Sequence, residues 1–123
     1  MNFSGNFAGA MWVMAIAFAA PAAGQIKPEI AEAARPIDEG VAEVAVYQLQ
    51  KLLPGLKGPD AIAAKEKLAE ALIAAQRSLD ALGVVEEPAL RDSPNGKFLR
   101  AQALAELNRY EEALPLYRET ANS

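Results

Sequence analysis

The 123-residue chain contains no cysteine and no histidine. Disulfides, thiolate nucleophiles, zinc sites of the usual kind, imidazole acid–base catalysis and Ser–His–Asp triads are thereby excluded. Aromatic residues make up only 7% of the chain, and Val and Ile are sparse beside Ala. Ala packs into helices more readily than into pleated sheet, so the composition argues for an all-α chain. A strong excess of either charge is also missing. The net charge is −4, and no clustered Lys/Arg patch offers the footprint that a nucleic-acid backbone requires. The length suits one small domain rather than two.

The first 26 residues lack charged side chains altogether, Lys27 being the first. Within them Phe7 to Ala23 is an apolar or small run, followed by Gly24 and Gln25. A short apolar core ending in small residues is the pattern of an export signal over residues 1–24, with cleavage after Ala22, Ala23 or Gly24. No Lys or Arg precedes the run, which leaves an uncleaved membrane anchor or a buried helix as alternatives. No cysteine follows it, so a lipid-modified N-terminus is excluded. Residues 25–40 read as a mobile linker with a helical turn or two after Pro28, ended by Pro36.

Beyond that, apolar spacing predicts helices. Val41, Val44, Ala45, Gln48, Leu49 and Leu52 form a stripe over 41–53, with Asp38 as its cap and Pro54-Gly55 as its stop. Asp60 caps a helix over 61–76 with a stripe of Ile62, Lys65, Ala69, Leu72 and Ile73, Leu68 alongside. A weaker helix over 78–86 ends at Pro88. Ser93 caps the next helix, with Pro94 at its first position; Phe98, Ala101, Leu104 and Ala105 share its face. After a polar break, Tyr110, Ala113, Leu114 and Tyr117 repeat the 3.6-residue stripe. The aromatic residues lie on these stripes and read as core.

The pattern recurs. A shift of 32 residues places Ala69 on Ala101, Leu72 on Leu104, Gln76 on Asn108, Ala81 on Ala113 and Val85 on Tyr117. Small residues fall on small ones where two helices would cross. Ala45, Leu49 and Leu52 sit 36 residues earlier, as the second helix of a further unit with no visible partner. The run Ala101-x-x-Leu104 … Leu107-Asn108-x-Tyr110-x-x-Ala113-x-x-x-Tyr117 resembles a tetratricopeptide repeat of an exported bacterial type, whose period is about 34 residues. The likeness covers roughly residues 60–121. It departs from the family at Arg100, where Leu is usual, at Gln76 and Asn108, where Gly is usual, at Ser78, where an aromatic is usual, and at Pro115, inside the second helix. The implied fold is a short solenoid of antiparallel helical hairpins, at about 60–87 and 94–121, within a domain spanning 41–121. Ala69, Leu72, Ala81, Ala101, Leu104, Tyr110, Ala113 and Tyr117 are its packing residues.

The carboxylates (Glu29/Glu32, Glu66/Glu70, Glu86-Glu87, Glu111-Glu112) lie among Lys and Arg at helical spacing and read as solvated faces. Gly83 and Gly96 fit no phosphate-loop spacing. Lys97, Arg100 and Arg109 are the one candidate basic patch for an acidic peptide or carboxylate terminus. No catalytic, cofactor or metal constellation is legible. The expected function is therefore that of a non-enzymatic scaffold in the periplasm or cell envelope, binding a protein or peptide partner. It would touch a membrane only through residues 7–23, if these are not cleaved. Repeat arrays need about three units. Two and a half invite two alternatives: the front part of a longer repeat protein, or a subunit that self-associates through its open final helix.

Overall fold

The computed structural model describes residues 26–122. All regular structure among them is helical: α1 (Pro28–Asp38), α2 (Ala42–Leu52), a 3₁₀ turn (Leu53–Gly55), α3 (Pro59–Ala74), α4 (Ser78–Val84), α5 (Pro88–Arg91), α6 (Pro94–Glu106) and α7 (Tyr110–Ala121). The apolar run at 7–23, expected as signal or anchor, lies outside the described residues. None of the described helices is long and apolar enough to cross a membrane.

Residues 28–38 are not the mobile linker that their prolines suggest. They form α1, whose Ile30, Ala33, Ala34 and Pro36 are buried. Pro28 starts the helix at a position where its missing N–H costs nothing. Pro36 falls in the last turn, where its ring removes one helical hydrogen bond and gains burial in return. Ile30 is fully buried, and an aliphatic side chain of that size contributes roughly 1.5–3 kcal/mol on leaving water. That outweighs the lost bond.

Three helix pairs result: α1–α2, α3–α4 and α6–α7. Their turns share one geometry. Gly40 (φ 83°), Gln76 (φ 65°) and Asn108 (φ 64°) each adopt the left-handed conformation just past the first helix. The next amide then reaches back five residues: Val41 to the Pro36 carbonyl (3.0 Å), Arg77 to Leu72 (2.7 Å) and Arg109 to Leu104 (2.8 Å). This is the Schellman closure, which satisfies a carbonyl that the helix end leaves unpaired. Gly takes the conformation freely and Asn with little penalty, whereas Gln76 is held there at a cost of about 1–2 kcal/mol. α2 is thus paired with α1, and Ala33 lies seven residues before Gly40 as Ala69 and Ala101 lie before Gln76 and Asn108.

Each second helix packs on the following first helix (α2 on α3, α4 on α6), and the first helices α1, α3 and α6 lie side by side. The core is small and aliphatic. Ala45, Ala64, Ala69, Ala71, Ala81 and Ala101 are fully buried, with Leu49, Leu72, Val85 and Leu90 filling between them. Leu72 and Leu104 close the first-helix faces, while Ala at the crossings lets the backbones approach.

Several sequence-based expectations shift in register. In α2 the buried set is Ala42, Ala45, Val46 and Leu49, while Val41 and Val44 are exposed, because α2 is covered by α1 on one side and α3 on another. Val41 rather than Asp38 precedes α2, and Asp38 closes α1. Gly58 precedes α3, which begins at Pro59, so Asp60 sits inside the first turn and pairs with Lys27 at 3.4 Å. Pro88 opens α5 instead of merely ending α4. The cap at Ser93 is present: its Oγ accepts from the Gly96 amide at 3.0 Å. Pro115 lies within α7 without ending it.

Among the described residues the aromatic side chains are not core. Tyr47, Tyr110 and Phe98 are exposed, and Tyr117 is half-buried with its ring edge-on to Phe98 at 5.7 Å. Tyr110, expected as a packing residue, instead stands 60% exposed and donates to Asn108 Oδ1 at 2.9 Å. Its place at a helix start matches the repeat pattern, but nothing in the described residues covers it.

Candidate functional site

Three adjacent first helices make a groove. A hollow of about 500 Å³ runs across α1, α3 and α6. Ile37 comes from α1, Glu66, Glu70 and Ile73 from α3, and Asn95, Phe98 and Gln102 from α6. The spacing explains the set: Glu66, Glu70 and Ile73 lie one helical turn apart, as do Asn95, Phe98 and Gln102, so each helix presents one ridge. Ile73, Leu99 and Phe98 provide the apolar part; carboxylates and side-chain amides provide the rest.

The carboxylates here are less ordinary than their charge pattern suggests. Burial raises the Glu66 carboxyl above its usual range, and neighbouring Glu70 adds to the effect; a hydrogen bond with the Asn95 side chain and the Lys67 charge act the other way. Lys67 is engaged with Glu70, at 3.4 Å to Oε2. Glu66 makes no ion pair among the described residues and lines the same hollow as Asn95. Spacing alone could not single it out from the other Glu residues, because the Asn95 contact joins positions from different hairpins.

The expected basic patch does not assemble. Lys97 pairs with Glu119 of α7 at 3.2 Å, Arg100 with Glu86 at 3.0 Å, and Arg109 with both oxygens of Glu112 at 2.8 and 2.9 Å. Each cation is paired with a different intramolecular carboxylate, and an acidic peptide would have to compete with these part-exposed pairs. Arg100 replaces the Leu usual in the resembled repeat by tying α6 to the end of the second hairpin. Other charges likewise lock the stack: Lys65 reaches Glu87 at 2.9 Å, and Glu106 accepts from the Ser78 hydroxyl at 3.1 Å rather than pairing with Arg109.

The packing residues fare better. Ala69, Ala81 and Ala101 are fully buried, and Leu72, Leu104 and Ala113 nearly so. Ala69, Leu72 and Ala81 belong to the main core, and Ala101, Leu104 and Ala113 to a second cluster between α6 and α7. The chain matches no family model, no curated protein and no solved structure.

Proposed function

We propose that the chain is a non-enzymatic interaction scaffold of tetratricopeptide-like hairpins, whose groove along α1, α3 and α6 takes an extended segment of a protein partner. The observation that carries the reading is the left-handed closure at positions 40, 76 and 108, with Ala at 33, 69 and 101 in the same register. A stack of like hairpins has a rigid, repeated inner surface and no chemistry of its own, which suits docking. Export through residues 1–24 belongs to the same reading, with the scaffold working in the periplasm or cell envelope. The intact mass of the protein from fractionated cells tests that part.

Selection from a displayed peptide library on the full-length protein tests the groove. Enriched peptides should lose binding to Glu70→Lys and to Gln102→Lys, whose side chains line the groove without being core. Peptides that bind both variants as well as the parent, or no enrichment at all, would sink the reading.

A further inference from the structure

The same register that defines the hairpins also shows which face of a second helix receives its neighbour. Positions 42, 78 and 110 correspond, as do 46, 82 and 114, and 49, 85 and 117. Ala42 and Ser78 are 8% and 6% exposed, yet Tyr110 is 60% exposed. Val46 is 2% exposed and Leu82 half-buried, yet Leu114 is 49% exposed. Leu49 and Val85 are buried, and Tyr117 only half so. In the first two hairpins α3 and α6 cover these positions; α7 has no such cover among the described residues.

Polar contacts follow the same rule. Glu86 makes its ion pair across that junction, to Arg100 of α6, and Ser78 makes its hydrogen bond across it, to Glu106. The position corresponding to Glu86 in α7 is Arg118. It is exposed and has no ion-pair partner among the described residues; nor has Glu111, seven residues earlier on the same flank. In an antiparallel pair of identical helices, two residues seven apart on one flank face each other across the two-fold axis.

We infer that the α7 face of Tyr110, Leu114 and Tyr117 is a homodimer interface, on which a second copy's α7 packs antiparallel, with Glu111 of each copy paired to Arg118 of the other. The second copy supplies both an apolar cover and the carboxylate that Arg118 lacks. A two-fold contact also closes on itself, giving a dimer rather than an open chain of copies. Groove and interface meet only where Phe98 lies edge-on to Tyr117. Glu70 and Gln102 are not part of the α7 face and Leu114 does not line the groove, so Glu70→Lys or Gln102→Lys can abolish docking while dimerisation holds, and Leu114→Lys the reverse.

Sedimentation velocity on the full-length protein is the test. A concentration-dependent monomer–dimer equilibrium is expected, abolished by Leu114→Lys. Arg118→Glu and Glu111→Arg should each weaken dimerisation roughly fivefold, since symmetry breaks two surface-type ion pairs at once. The double variant Glu111→Arg/Arg118→Glu should recover the parental dimer within about twofold, because the swapped charges face each other again. Thermal melts of the four variants, recorded together, show that the fold is retained. A strict monomer, a dimer indifferent to Leu114→Lys, an open head-to-tail chain of copies, or a double variant weaker than either single one would overturn the inference.

Discussion

Replacing Gly96 with alanine isolates one feature of the packing that no apolar stripe predicts. Gly96 is the third residue of α6 and lies against α5. A Cβ built there would overlap the Leu90 carbonyl, at 2.5 Å from its carbon and 3.0 Å from the Leu90 Cα. Ordinary carbon–carbon contact is about 3.5–4.0 Å, so relieving the carbonyl carbon alone takes about 1 Å of separation between α5 and α6, and the carbonyl oxygen, which lies nearer still, takes more. Leu90 is fully buried, and its carbonyl accepts from the Ser93 hydroxyl at 3.1 Å while that hydroxyl accepts from the Gly96 amide. Separation therefore strains the cap as well as the core. Overpacking costs about 1–3 kcal/mol and a weakened cap about 1 kcal/mol, against a helix-propensity gain below about 1 kcal/mol. The net expectation is a loss of about 2 kcal/mol, or a melting temperature lowered by about 8–16 °C for a domain of this size. Gly83→Ala is the control. No atom lies within 4 Å of the added Cβ, and the backbone is helical, so that variant should gain about 0.5–1 kcal/mol. Circular dichroism melts in the far ultraviolet compare the two. If Gly96→Ala melts at or above the parent, as Gly83→Ala should, the close approach of α5 and α6 is wrong.

Gln76→Gly is expected to stabilise the protein by about 0.5–1 kcal/mol, since Gly relieves the left-handed strain at φ 65° and loses only part of that gain to unfolded-chain entropy. Asn108→Gly should gain less, because Asn tolerates that conformation; urea unfolding of both ranks them, and a larger gain at 108 would contradict the reasoning. For Glu66, burial raises the folded-state carboxyl, so the native state holds its proton more tightly than the unfolded chain. Its contribution is therefore lost as pH rises from the usual carboxylate range through the raised value, and Glu66→Gln should flatten that fall; parallel pH profiles for the two proteins would refute it. Ala69→Leu places a bulky group at a fully buried crossing and should cost about 1–3 kcal/mol or more, read as a lower urea midpoint.

Composition and local patterning determined that the described residues are helical: Ala-rich segments, Ser93-Pro94 at a helix start and small residues repeated at 69/101 and 81/113 are local signals, and the regular structure among the described residues is α- and 3₁₀-helix only. Of the candidate packing residues, Ala69, Leu72, Ala81, Ala101, Leu104 and Ala113 are buried where spacing put them, because a small side chain at a crossing is what close helix contact needs, whereas Tyr110 is exposed and Tyr117 half-buried. Tertiary structure alone decided the rest. Pro28 and Pro36 make residues 28–38 look like a linker until Ile30 finds a core to enter. Phe98 and Tyr110 look like core until α6 turns Leu99, Ala101 and Leu104 inward and α7 turns in Ala113. The basic residues near the last hairpin look like a patch until carboxylates from other elements claim Lys97 and Arg100. Periodicity reports which residues share a face of one helix. Which face is buried, and which charge meets which, depends on neighbours far along the chain, and only the stacking of the three hairpins supplies them.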